Sequence, residues 1–409
     1  MPSANSSDPL LASIRAKVAA MNAEPKATPP SSKPLQIFLL IALVVTGAAY
    51  VVNEFSEFTT EDQKSLAKRP NRLRQMVKEQ NTFVTETALG HEAEVNKKYN
   101  DAVLHYRRAL GSQPTAQARL NLGAALLEEG NPDMAFAQFK EALRLDPQLE
   151  DTYLTWASAL AHQGRLDDAA QMDQDALRAN PKFAKVNYNF GRVLEQQQAT
   201  ILAKQRAALR ASQPKEATQA ASESQVLGAD ALKHYAAAAQ LGLNTPDFWA
   251  AYGALLNKAG KYFQAEMALN KAVIEQPTLG AAQFQLAVAQ DHQGKYADAI
   301  SHYEATLTCL PDDPATLNNL ALIYATATNQ DVRSSKMAVM LATRASDALN
   351  NQDARFMDTL ARAYAADGDF FQAIAWEDKA MHRATQLADN DLVHEFQPRF
   401  SLYVQHKSE

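Results

Sequence analysis

Three His-Tyr pairs, His105-Tyr106, His234-Tyr235 and His302-Tyr303, are the residues whose type and recurrence first invite chemistry, because imidazole is the commonest metal ligand. They occupy one register in copies of a repeat that are not all neighbours, so they cannot converge on one ion. No His-Glu-x-x-His pattern, Cys-His cluster or carboxylate triad accompanies them. They read as packed or partly exposed side chains, and His162 and His292 as turn residues. Cys309 is the single cysteine, which excludes an intrachain disulfide and any zinc site built from several thiolates. No base adjoins it, and it is expected as a buried packing residue. Asp167-Asp168 and Asp312-Asp313 stand at helix starts, where carboxylates satisfy free amides and the helix dipole. No P-loop, GxGxxG or GxSxG pattern is present. No catalytic residue, metal site, cofactor or small-molecule substrate is assigned, and the chain reads as a non-enzyme.

The elements that carry these residues repeat. Ala161 opens AHQGRLDDAA and Asp291 opens DHQGKYADAI, each a helix end, a Gly turn and an Asp-bearing first turn. The alanines that open each second helix are Ala102, Ala135, Ala169, Ala231, Ala265, Ala299, Ala338 and Ala373, spaced by 33, 34, 62, 34, 34, 39 and 35 residues. A period near 34 means one supersecondary unit stacked on copies of itself. The fifth copy supplies Trp249, Tyr252-Gly253, Leu256, Ala265, Ala272 and Pro277; the second supplies Leu122-Gly123, Leu126, Ala135, Phe139, Ala142 and Pro147. Small residues let helix backbones approach, aromatics fill the gap between them, and Pro stops the second helix.

These residues resemble the tetratricopeptide repeat family, as found in bacterial membrane-anchored members. The resemblance implies an all-α, right-handed helical solenoid of about eight helix-turn-helix repeats over 83–382, here preceded by a single transmembrane helix. The 62-residue step exceeds one period by 28, which predicts two helices each longer by 14 residues and a projecting helical hairpin at about 195–229. Its seam is expected to set Leu194, Ile201 and Leu209 against Ala217, Ala220, Ser224 and Leu227. Residues 383–409 read as a C-terminal capping helix with Leu392, Phe396, Phe400 and Tyr403 available to pack.

Residues 1–34 are rich in Ser, Ala and Pro and read as a disordered tail. Leu35–Val52 is an uncharged stretch of eighteen residues, about 27 Å as a helix, and reads as an uncleaved membrane anchor. The polar spacer 53–82 follows, with a basic cluster from Lys68 to Lys78. Lys33 abuts one end of the anchor, while Glu54, Glu57, Glu61 and Asp62 follow the other. The tail is therefore expected in the cytoplasm and the repeats on the outer, periplasmic side. A net charge of −6 with 21% charged residues argues against a nucleic-acid partner.

In the family the first helices line a groove for a peptide, and an Asn just before the small-residue pair often bonds ligand backbone. Asn121, Asn189 and Asn319 stand there. They could equally tie neighbouring repeats together. Arg192 is the one base suitably placed, and Phe284, Val288, Leu154 and Leu120 favour a partly apolar ligand. The peptide- or protein-binding set is thus Asn121, Asn189, Arg192, Phe284 and Asn319. The expected function is a membrane-anchored scaffold that binds protein partners through this groove or through the projecting hairpin. The rival reading is an assembly or accessory factor for an envelope glycan, lipopolysaccharide, pilus or secretion machinery.

Overall fold

The computed structural model describes residues 70–211, 213–387 and 389–408, and their side chains from Lys78 onward. The tail, the Leu35–Val52 anchor and most of the spacer lie outside the described residues. Among the described residues no helix is long and apolar enough to cross a membrane. Seventeen helices and no strand are described: α1 (Pro70–Val95), α2 (Tyr99–Ser112), α3 (Ala116–Glu128), α4 (Pro132–Leu145), α5 (Glu150–His162), α6 (Leu166–Ala179), α7 (Ala184–Arg210), α8 (Pro214–Gln240), α9 (Pro246–Lys258), α10 (Tyr262–Glu275), α11 (Gly280–Asp291), α12 (Tyr296–Cys309), α13 (Pro314–Thr326), α14 (Ser335–Ala348), α15 (Ala354–Ala366), α16 (Phe370–Gln386) and α17 (Asn390–Val404).

The described residues fall into two units. The first comprises 70–89 and 108–113, where the Ser112 hydroxyl donates to the Glu79 carbonyl (2.6 Å) and Arg108 faces Glu86 at 4.0 Å. The second comprises 90–107 and 114–408 and is a stack of helical hairpins. Helix starts are fixed by side chains that accept backbone amides, among them Thr115, Thr245, Asp313, Asp369 and Asp389. Asp313 caps α13, whereas Asp312 pairs with Arg344 (2.7 Å) and Asp168 with Arg165. The turns at Gly164 and Gly294 take φ of 76° and 72°, a conformation that explains glycine there.

All eight repeat alanines are fully buried. Four residues after each stands a second buried column: Tyr106, Phe139, Asp173, Tyr235, Leu269, Tyr303, Ala342 and Glu377, none more than 1% exposed. Opposite it, small residues on the first helices make room. A Cβ on Gly90 would lie 2.5 Å from the Tyr106 ring, and Gly191 stands in the same relation to Tyr235. This pairing of a small residue with a large one is the repeated packing unit of the second unit.

Two departures interrupt the column. Asp173 and Glu377 are carboxylates with no exposure, where four other repeats put rings and two put Leu269 and Ala342. Two more interrupt the period. Helices α7 and α8 are 27 residues each, against 13 and 14 in α5 and α6. In the seventh repeat, residues 327–334 add a loop that Arg333 closes by donating to the Ala327 carbonyl (2.6 Å).

Two sequence expectations need correction. Leu209 is 54% exposed and Ala208 takes the seam position, one residue earlier, with Ile201, Ala217, Ala220 and Ser224 buried as expected. Cys309 is exposed, its thiol 3.6 Å from the Thr278 carbonyl. It stands at the last position of α12.

Candidate peptide-binding face of the first helices

Successive first helices place equivalent residues at one register. Three residues before the small residue stand Leu120, Leu154, Tyr188, Ala250, Phe284 and Asn318; one residue after it stand Ala124, Ser158, Arg192, Ala254, Val288 and Leu322. Residues four apart share a helix face, so these form one stripe per helix. Leu154, Tyr188, Phe284, Val288 and Leu322 are half-buried. Leu154, Tyr188, Phe284 and Val288 each pack on the core: Tyr188 meets Tyr235 and Phe248 edge-on at 5.3 Å, and Phe284 lies 5.8 Å from Tyr303. The result is a mainly apolar stripe with its outer edge open.

Arg192 is exposed, with its guanidinium 5.8 Å from the Tyr188 ring centre. One turn on, the Glu195 carboxylate accepts from the Tyr235 hydroxyl (2.6 Å) and pairs with Lys258 (3.2 Å), joining α7, α8 and α9. Burial and that carboxylate push the Tyr235 hydroxyl well above its ordinary pKa, so it stays a donor.

The asparagines divide. Asn189 donates to both carboxylate oxygens of Asp173 (3.0 and 2.9 Å), and Asn319 donates to the Tyr303 hydroxyl (3.0 Å). Each reaches the buried column of the preceding repeat, so their amide groups are occupied within the stack. Asn121 accepts from Gln117 (2.9 Å) on its own helix and is half-buried. Phe284 and Arg192 thus lie on the open stripe, while Asn189 and Asn319 bridge repeats.

Sequence reasoning missed the buried acids. Burial pushes the Asp173 carboxyl up to about 7, opposed by the Asn189 amide. Glu377 is pushed up to about 9, first by burial and next by Asp358. Arg399 of α17 ties this end together, 2.6 Å from Asp358 of α15 and 3.6 Å from Glu377 of α16. Both acids were visible as breaks in the aromatic column; their partners, 16 and 22 residues further along the chain, were not. The His-Tyr pairs serve packing: His234 faces Asn187 (3.0 Å) and His302 faces Gln283 (2.6 Å), and burial lowers both pKa values. Among the described residues no three His, Cys, Asp or Glu side chains are placed to hold a metal ion.

Comparison with known proteins follows the same register. One tetratricopeptide repeat model matches residues 87–150 and 258–314, and a second matches 126–187. Sperm-associated antigen 1 of Mus musculus is 31% identical over 96 residues, 24% of this chain and 11% of that protein. An uncharacterized protein of Haemophilus influenzae is 32% identical over 110 residues, 26% of this chain and 59% of that one. The chain thus spans about a tenth and about three fifths of the lengths of the curated relatives it matches. Among solved structures, YrrB, described as having an unusual peptide-binding site, is 19% identical, covering 51% of this chain and 91% of that one at a TM-score of 0.40. PilF of Pseudomonas aeruginosa is 17% identical, covering 57% and 95% at a TM-score of 0.43. Residues 87–187 and 258–314 thus carry tetratricopeptide repeats, and the buried columns run through both segments.

Proposed function

We propose that the chain is a non-catalytic scaffold whose first-helix face in the second unit binds an extended segment of a partner protein. Tetratricopeptide repeats generally act as protein-binding scaffolds. The observation that carries the reading is the stripe of half-buried apolar side chains, Leu154, Tyr188, Phe284, Val288 and Leu322, open at its outer edge and flanked by exposed Arg192. Such edges are too apolar to favour water and too narrow to form a core, and a peptide laid across them would bury them. Asn189 and Asn319 hold the stack in register beneath it, whereas Asn121 bonds within its own helix.

The membrane belongs to the same proposal. Leu35–Val52 anchors the chain, with the tail cytoplasmic and the repeats on the outer side. The experiment is crosslinking of the full-length protein in native membranes, followed by purification, for wild type and for Arg192→Glu combined with Phe284→Ala. A partner captured by wild type and lost in the variant supports the groove. Identical partners in both, with the variant folded, place binding elsewhere and reject it.

A further inference from the structure

The lengthened arms of α7 and α8 end in a charge opposite to that of the chain. Their seam, Ile201, Ala208, Ala217, Ala220 and Ser224, is buried. Gln198 donates to the Ser224 carbonyl (2.9 Å) toward the base of the hairpin. At its end the Gln213 amide donates to the Ala208 carbonyl (2.9 Å), which sets Arg210 and Lys215 on the two sides of one turn. Among the described residues no ion pair or side-chain hydrogen bond joins residues 199–226 to a helix other than α7 and α8.

This stretch sets Lys204, Arg206, Arg210 and Lys215 against Glu216 and Glu223, so it is net basic in a chain whose net charge is −6. All four bases are exposed, and among the described residues none is in an ion pair. Exposed bases elsewhere in the second unit commonly have a partner: Arg144 has Glu141 (2.9 Å), Lys185 has Asp151 (3.3 Å), Lys295 has Glu266 (2.6 Å) and Arg344 has Asp312 (2.7 Å).

The four bases also ring the end of the hairpin. At about 100° per residue, Lys204 and Arg206 lie on nearly opposite sides of α7, Arg206 and Arg210 share one side, and Lys215 stands on α8. A bound peptide or helix touches one face and leaves part of such a ring unused, whereas a plane of negative charge met end-on engages all of it. Leu209, exposed between Arg206 and Arg210, gives that end an apolar residue.

We propose that the end of this hairpin contacts an anionic lipid surface, with its four bases among the phosphate headgroups and Leu209 at the acyl boundary. The contact is separate from the first-helix stripe. The added length of each arm gives it a reach of about 20 Å past the neighbouring repeats.

The test uses the full-length protein carrying Cys309→Ser and Ala211→Cys, labelled at the introduced thiol with an environment-sensitive nitrobenzoxadiazole dye. It is reconstituted into vesicles of phosphatidylcholine alone, or with about one third phosphatidylglycerol. Dye emission should shift to the blue on the anionic vesicles and not on the neutral ones, and the shift should vanish in about 1 M salt. Arg206→Gln combined with Arg210→Gln keeps good helix formers at exposed positions and should weaken the contact about 30-fold, the scale of two bases at a charged surface. Emission that is the same on both vesicles, or a shift that the double variant keeps, overturns the proposal. A dye that stays in water on both vesicles, on a hairpin that crosslinks to a protein in native membranes, assigns the bases to an acidic protein and overturns it too. Flotation keeps the anchor apart: a chain that floats with anionic but not with neutral vesicles refutes Leu35–Val52 as an anchor and leaves the hairpin contact standing.

Discussion

Asp173 offers the sharpest test of how the stack is held together. It has no exposure, stands where five other repeats put Tyr, Phe or Leu, and among the described residues accepts hydrogen bonds from the Asn189 amide alone. Its pKa rises from 3.8 to about 7. A raised folded-state pKa means the folded chain binds the proton more tightly. The contribution to stability is therefore complete below about pH 4 and is lost as pH climbs to about 7. That shift corresponds to a cost of about 2 kcal/mol at pH 5 and about 4 kcal/mol at pH 8. Asp173→Asn keeps the volume and removes the titration. Its stability advantage over wild type should therefore widen by about 2 kcal/mol between pH 5 and pH 8. Urea unfolding of both proteins at both pH values, followed through Trp156, which packs near the same core, measures the double difference. An advantage that is constant with pH would show that the carboxylate is solvated or otherwise paired, and the argument from burial would fall.

Arg399→Ala should leave Asp358 without its 2.6 Å partner and cost about 3–5 kcal/mol locally, read as faster hydrogen exchange in α17 and altered Trp376 fluorescence. Glu377→Gln likewise removes a titration: with the carboxyl raised from 4.5 to about 9, wild type loses stability as pH climbs across that window, so the advantage of the variant should grow from about pH 5 to about pH 9 and level off above it, read by urea unfolding. Gly123→Val should cost about 1–3 kcal/mol or more, since its Cβ would meet the Phe139 ring, whereas Gly111→Ala, with nothing within 4 Å, should stabilise by about 0.5–1 kcal/mol; melting temperatures decide both. Removing residues 198–211 and 214–227 returns α7 and α8 to ordinary length and should leave the remaining repeats folded by circular dichroism; collapse of the whole transition would make the hairpin part of the core.

The repeat and its period were legible because small, spaced alanines and glycines answer to backbone approach, a local demand. The length of α7 and α8 followed from arithmetic on the same alanines. What the pattern left open depended on contacts across hairpins. Asn189 and Asn319 suit a ligand or a neighbouring repeat equally well by type, and only the placement of Asp173 and Tyr303 beside them shows where their amides go. Leu209 looked like a seam residue by hydrophobicity, yet the two long helices meet through Ala208, because small residues let them approach more closely. Cys309 is exposed because α12 ends at that residue, a one-position matter that periodicity does not resolve.

Site-specific photocrosslinking locates the face that a partner covers. A photoreactive phenylalanine analogue would replace Leu154, Phe284 or Leu322 on the first helices. On the second helices it would replace Phe263 or Phe371, which are 66% and 80% exposed. In the full-length protein expressed in its own cells, partner adducts should form from the first-helix positions and none from Phe263 or Phe371. Adducts confined to the second helices would contradict it.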